Sequence, residues 1–321
     1  MSTVLSRQAA SRLQQAYASK TTKSYNQMFL LYMALCECLA VPFDCPSVWT
    51  VILFIEFLAF NHLQYNSILN YLTAVKMKLL WFDLPAAAFD HHKVKLMLRA
   101  VKHTASHAPR FKGIFDIHTI TNLLYVAAYL SDHEVYRAIY LLAFFGFMRI
   151  SNLLPVSRKM FDVQKQLCRG DVIVQQDKAA IIVKWSKTIR SPSQGTFIII
   201  PRLPGHVLCP VSALEIMFEK FPAPRNAPLF IASNGVLTQS QVRLHLAKLL
   251  HALGMNHKLY PFHTFRRSGA TFAYNNHVHL QGIKRHGTWS SDAVQAYLIN
   301  DSHNASMVAN MFQNVLLPTN Y

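Results

Sequence analysis

The sequence predicts a mainly α-helical protein with a small antiparallel β-sheet confined to its second part. Three observations carry that expectation. Apolar residues recur at helical spacing through most of the chain. Between residues 171 and 200, three short runs rich in β-branched residues are separated by turn signals. The stretch 103–113 lacks apolar periodicity and ends in Pro109, Arg110, Phe111, Lys112 and Gly113, which is linker composition. Two domains are therefore expected, 1–105 and 106–321, each long enough to bury its own core.

In the first domain the residues from Lys20 to Cys38 form an apolar-periodic helix, with Thr21 or Thr22 as N-cap, and Pro42 and Pro46 close the connection that follows. Residues 46–61 are a second helix. A third, 66–80, places Ile68, Leu69, Leu72, Val75 and Leu79 on one face with Lys76 and Lys78 off it, and a turn follows at Asp83-Leu84-Pro85. A basic fourth helix, 93–102, leads into the linker.

The second domain opens with two helices, 119–130 and 134–145. Strands are expected at 171–174, 180–184 and 196–200, and helices resume at 210–220, 239–253, 264–275 and 293–299. No internal repeat or low-complexity tract is present.

Hydrophobic residues make up 52% of the chain and charged residues only 15%, so most of it should fold. Against so few charges, a net charge of +17 points to a polyanionic partner. A membrane surface is the bland alternative; no membrane partner is expected, and the apolar stretches, such as 48–60 with its Glu56, are too short or too mixed to span a bilayer. The five cysteines, Cys36, Cys38, Cys45, Cys168 and Cys209, are odd in number and irregularly spaced, which fits a reducing compartment and unligated structural roles. The histidines at 91, 92, 277, 279 and 286 lack acidic or cysteine partners at ligand spacing, so no metal site is expected.

A scattered set of residues has the chemistry to break and rejoin a phosphodiester. Arg149 lies in Gly146-Phe147-Met148-Arg149-Ile150-Ser151-Asn152-Leu153, Lys187 in Trp185-Ser186-Lys187-Thr188, and His263 and Arg266 in His263-Thr264-Phe265-Arg266. Tyr297 follows Gly287-Thr288-Trp289-Ser290-Ser291-Asp292-Ala293. Two arginines and a lysine can neutralise a pentacoordinate phosphate, a histidine can handle a proton, and a tyrosine can take the phosphate covalently. Arg149 follows a nearly unbroken apolar run, 140–148, where a guanidinium is costly unless it faces a partner or an anion. His263 and Arg266 sit one helical turn apart and project to the same side, while Arg267 points roughly a hundred degrees away. Lys184, three residues before Lys187, competes with it, and strand alternation does not settle the choice.

In the order and spacing of these motifs the chain resembles the tyrosine recombinases, the phage-integrase family. The variants Arg149-Ile150-Ser151-Asn152-Leu153 and Trp289-Ser290-Ser291-Asp292-Ala293 are most similar to recombinases of eukaryotic mobile elements of the Crypton and DIRS-like kind. The resemblance covers both domains. It implies a helical core-binding domain and an α+β catalytic domain closing as a C-shaped clamp around double-stranded DNA. It implies strand cleavage through a 3′-phosphotyrosine, strand exchange within a homotetramer that is monomeric when free, and no cofactor. Arg149 and Arg266 would clamp the non-bridging oxygens, and Lys187 would protonate the 5′-oxygen leaving group, a role for which matching the hairpin motif favours it over Lys184.

The chain departs from the family at two places. The residue directly after the glycine is Thr288, where relatives commonly carry His or Trp, so the sixth catalytic position stays open among Trp289, Thr288 and His286. Asn152 stands where many relatives carry an acid that supports the arginine. Candidate phosphate contacts are Lys20, Lys23, Lys76, Lys78, Arg99 and Lys102 in the first domain and Arg110 and Lys112 in the linker. The segment 302–312 is a candidate for docking into a neighbouring subunit or in cis. A nuclear location is expected for a eukaryotic host and a cytoplasmic one otherwise. Type IB topoisomerase chemistry and a catalytically silent DNA-binding descendant are the alternatives; a metal-dependent nuclease would want clustered carboxylates, and the chain has only 15 acids.

Overall fold

The computed structural model describes Gln8, Arg12 and residues 19–104, 113–185, 196–289 and 291–298. The chain divides into two compact units, Met1–Arg110 and Phe111–Tyr321.

The first unit is helical. It contains α1 (Ser19–Cys38), α2 (Val48–Phe60), α3 (Tyr65–Trp81), a 3₁₀ turn at Ala87–Asp90, and α4 (His92–Thr104). Thr21 and Thr22 lie inside the first turn of α1 rather than capping it. The cap that does form is Ser47, whose Oγ accepts from the Thr50 amide at 3.0 Å and starts α2. The core gathers Tyr32, Phe54, Ile55, Leu58, Ile68, Val75, Leu79 and Val94, with the Tyr32 and Phe54 rings edge to face at 5.2 Å.

The second unit is built around α6 (His133–Phe145), which follows α5 (Ile117–Ala127). Asp116 caps α5 by accepting from the Thr119 amide at 2.7 Å. Residues 138–144 of α6 are all buried, so this helix is the centre of the larger core. A short α7 (Ile150–Leu153) begins at Arg149, its N-cap residue. The strands β1 (Val172–Val174), β2 (Lys178–Val183) and β3 (Thr196–Pro201) form one antiparallel sheet in that order. Ala179 opposes Ile200 and Ile181 opposes Ile198, so the alternation sends Ala179, Ile181, Val183, Ile198 and Ile200 into the core.

Then come α8 (Pro210–Lys220), a small hairpin of β4 (Ile231–Ala232) and β5 (Gly235–Val236), and α9 (Gln239–Ala252), which opens with a capping box between Thr238 and Gln241. The chain continues through α10 (His263–Asn275) and α11 (Leu280–His286) to a 3₁₀ helix, Asp292–Tyr297. The expected helix at 293–299 is therefore a 3₁₀ segment, and α11, α7 and the β4–β5 hairpin are additions to the sequence reading. Among the described residues no helix is long and apolar enough to cross a membrane.

Candidate active site

The site is organised by α10. Gly269 lets this helix approach the end of α6: a Cβ there would collide with the Phe144 carbonyl and lie 2.8 Å from the Phe147 ring. That approach brings Arg266, only 1% exposed, against the turn that precedes Arg149. Its Nη1 donates to the Phe147 carbonyl and its Nη2 donates to the Gly287 carbonyl at 2.6 Å. Trp289, itself buried, covers the guanidinium with its ring centroid 3.7 Å away.

Both carbonyls belong to turns in strained backbone. Phe147 has φ +47° and Thr288, next after Gly287, has φ +55°. Left-handed conformations at residues other than glycine cost on the order of 1–3 kcal/mol and persist only where surrounding contacts over-determine them. Here Phe147 packs with Ala270, Ile283, Trp289 and Val294 in a small second core, and its ring meets His286 edge to face at 4.7 Å. Gly287 allows the packing from the other side, since a Cβ at that position would overlap the Trp289 ring.

Arg266 thus joins two of the sequence motifs, the Arg149 turn and the glycine turn before Tyr297. Arg149 is half-buried at the start of α7. His263 opens α10 and is exposed. Arg267, the neighbour of Arg266, turns elsewhere and donates to the Gly113 carbonyl, while Ser268 accepts from the Phe115 amide at 2.7 Å. The two bonds anchor the start of the second unit to α10.

Tyr297 closes the 3₁₀ helix Asp292–Tyr297. That helix is started by Ser291, tied to α11 by a 2.9 Å ion pair between Lys284 and Asp292, and seated through buried Val294 on the cluster that holds Trp289 and Phe147. The backbone carrying the tyrosine is therefore packed on the same small core as the Arg266 cover.

The candidates for the sixth position differ sharply. His286 donates from Nε2 to the Phe145 carbonyl at 2.7 Å. Burial holds its pKa below the usual histidine range, with the nearby Arg266 charge adding to the lowering and the carbonyl bond opposing it. Thr288 is half-buried in the left-handed turn, and Trp289 lies on Arg266.

Lys187 lies outside the described residues, as do Arg110, Lys112 and the segment 302–312. Its competitor Lys184 is described and has partners within the fold. The Lys184 ammonium pairs with Asp171 at 2.6 Å and donates to the Val163 carbonyl at 2.6 Å. In the first unit Lys20, Lys23, Arg99 and Lys102 are exposed. Lys76 is instead paired with Asp90 at 2.6 Å, and Lys78 lies over the Phe82 ring at 5.3 Å. Among the described residues no group of three or more His, Cys, Asp or Glu side chains comes together as metal ligands, and all five cysteines are free.

No family model matches the sequence, and no curated protein matches it. The fold has solved counterparts among the tyrosine recombinases. The Tn1549 transposon integrase, in complex with transposon right end DNA, superposes with a TM-score of 0.62 over 96% of this chain and 98% of its own at 14% identity. The XerH site-specific recombinase, in a post-cleavage complex with palindromic difH substrate, gives 0.61 over 92% of this chain and 80% of its own, also at 14% identity. A lambda integrase dimer bound to a COC′ core site gives 0.52 over 92% and 76%, again at 14% identity. The mainly helical architecture with small antiparallel sheets is thus the tyrosine-recombinase fold.

Proposed function

We propose that this protein is a site-specific DNA recombinase that cleaves and rejoins strands through a 3′-phosphotyrosine. The observation that carries the reading is the position of Arg266, whose guanidinium links the turn before Arg149 to the turn before Tyr297 within a fold shared with DNA-bound recombinases. In this reading Tyr297 attacks the scissile phosphorus, a bond from its oxygen forms as the bond to the 5′ oxygen breaks, and the 3′ phosphate stays on the enzyme. Arg149 faces the pentacoordinate phosphate, while Arg266, buried with both terminal nitrogens on the Phe147 and Gly287 carbonyls, adds its positive charge from beneath and would have to release those carbonyls to clamp a non-bridging oxygen; His263 handles the tyrosyl proton, and Lys187 protonates the departing 5′ oxygen. Rejoining reverses each step, and the bond energy kept in the phosphotyrosine removes any need for a nucleotide.

Double-stranded DNA is the partner that the net charge of +17 supports. Exposed Lys20, Lys23, Arg99 and Lys102 are first in line for its phosphates, followed by Arg110 and Lys112. Closure of the two units as a clamp, exchange within a tetramer, docking of the 302–312 segment and kinship to Crypton and DIRS-like elements are parts of the same proposal.

The test is incubation, in a chelator, with nicked duplexes tiled over the DNA flanking this reading frame, followed by a denaturing gel. A protein–DNA adduct with free 5′ hydroxyl ends is expected. Cleavage that appears only with an added divalent ion would replace this reading with a metal-dependent nuclease.

A further inference from the structure

We propose that Gln239 is a positioning residue: from the start of α9 its side chain holds the far end of the one-turn helix that begins at Arg149, and so sets the placement of that arginine. The inference rests on the recombinase reading, in which Arg149 faces the scissile phosphate.

A single turn such as α7 cannot hold its own direction, because it closes few backbone bonds against the entropy of the residues it fixes. Here they run from the Asn152 amide to the Arg149 carbonyl and from the Leu154 amide to the Ile150 carbonyl, both at 2.9 Å. The setting of α7 comes from outside. Leu153 and Leu154 are buried in the larger core, the Asn152 side chain donates from Nδ2 to the Trp185 carbonyl at 2.8 Å, and the Asn152 carbonyl accepts from the Leu167 amide at 3.3 Å. At the C-terminal end one residue takes two successive carbonyls. Gln239 donates from its backbone amide to Pro155 and from Nε2 to Leu154, both at 3.0 Å.

The Gln239 amide can face only one way. On its other side Oε1 accepts from Nη2 of exposed Arg243, one turn along α9, at 3.2 Å. A guanidinium only donates and a carbonyl only accepts, so exchanging the two ends of the amide would break both bonds. α9 does not need this side chain to start, since Thr238 is its N-cap and Gln241 completes the capping box. The bond from Nε2 leaves the helix and serves α7.

This chemistry separates positioning from stability. Glu at this place keeps an acceptor for Arg243 and puts a negative charge in the first turn of a helix, where it is stabilising. An ionised carboxylate has no hydrogen for the Leu154 carbonyl. A residue that matters only for folding tolerates Glu, whereas one that places Arg149 does not, because small displacements of a catalytic group are expensive.

The experiment uses the full chain, in a chelator, on the nicked duplex that yields the adduct. Protein is in saturating excess, so that single-turnover rates report cleavage rather than binding. Wild type, Gln239→Glu, Gln239→Leu and Arg149→Ala are compared, each Gln239 change is also placed on Arg149→Ala, and urea midpoints are measured for all. Gln239→Glu and Gln239→Leu are each expected to cleave about tenfold more slowly, on the scale of a small misplacement, with the Gln239→Glu midpoint at or above that of wild type. Arg149→Ala is itself expected to be slow by about a hundredfold for loss of one charge donor. On that background neither Gln239 change is expected to slow cleavage further, because residues that act through one another are not additive.

Gln239→Glu cleaving as fast as wild type, or a loss that persists in full on Arg149→Ala, would overturn the proposal and leave the recombinase reading standing. An Arg149→Ala enzyme as fast as wild type would remove the assignment of that arginine and the proposal with it. Should Gln239→Leu fail to fold, Gln239→Glu carries the same cycle.

Discussion

The guanidinium of Arg266 lies under the ring of Trp289, 3.7 Å from its centroid, while its two terminal nitrogens donate to the carbonyls of Phe147 and Gly287. Trp289 is thus placed to hold an arginine, a use of the indole distinct from donating its N–H to a phosphate oxygen. A cation–π contact out of water is worth roughly 0.5–2 kcal/mol, and tryptophan provides the strongest face.

Replacing Trp289 by Phe keeps a ring in the small core but weakens that contact. Trp289→Phe is expected to fold and to cleave roughly two- to thirtyfold more slowly, the rate equivalent of that energy. Single-turnover rates of Trp289→Phe, Thr288→Val and His286→Ala, measured side by side, check the ranking. A Trp289→Phe enzyme as fast as wild type beside a crippled Thr288→Val would assign the sixth position to Thr288.

Lys184 and Lys187 should separate cleanly by assay. Lys184 pairs with Asp171 in a half-buried setting, so Lys184→Ala is expected to lower stability by roughly 1–3 kcal/mol, between the exposed and buried limits for ion pairs. Its cleavage rate per folded molecule should stay within a fewfold of wild type. Lys187→Ala should show the reverse, normal stability and lost cleavage. Urea denaturation alongside single-turnover kinetics reads both.

Acid should weaken the second unit. His245 is buried, accepts or donates at Nδ1 with the Tyr140 hydroxyl at 2.7 Å, and stacks on Tyr136 at 3.6 Å. Burial, with Lys248 adding to it, pushes its pKa down to about 4. The unfolded chain, with an ordinary histidine near 6.5, takes up the proton first. The stability contributed by neutral His245 is therefore complete above about pH 6.5 and is lost as pH falls toward 4, by about 3 kcal/mol. His286, also shifted down, acts in the same direction. Denaturant midpoints between pH 7 and 4 should fall steeply for wild type and less steeply for His245→Gln.

Much of the fold was legible because periodicity and punctuation agree. The helix at 210–220 follows Cys209 and opens on Pro210, and the strands at 178–183 and 196–201 alternate inward and outward as their β-branched residues imply. What escaped had too little local signal. α11 is short, holds Gly282 inside it, and shows only Leu280 and Ile283 as apolar contacts; β4 and β5 are two residues each. The site was readable as a list of side chains with the right chemistry. Its assembly was not, because Arg266 is held by carbonyls 119 and 21 residues away and Asn152 reaches a carbonyl 33 residues away. Such partners leave no mark on a sequence, since every residue carries a carbonyl.

DNA binding is expected to be strongly electrostatic. With six or more phosphates contacted, the slope of log affinity against log salt should be more negative than about −5. Filter binding or fluorescence anisotropy across a salt series checks this. A flat response would remove the exposed cations of the first unit from the interface.

The most direct measurement of the central claim is peptide mapping of the covalent adduct, made with wild type and with Tyr297→Phe. The account predicts a phosphonucleotide on Tyr297 in the wild-type protein, and in Tyr297→Phe no adduct with DNA binding nearly unchanged, because only the nucleophilic oxygen is gone. An adduct that persists in Tyr297→Phe, or that maps to another tyrosine in the wild type, would contradict it.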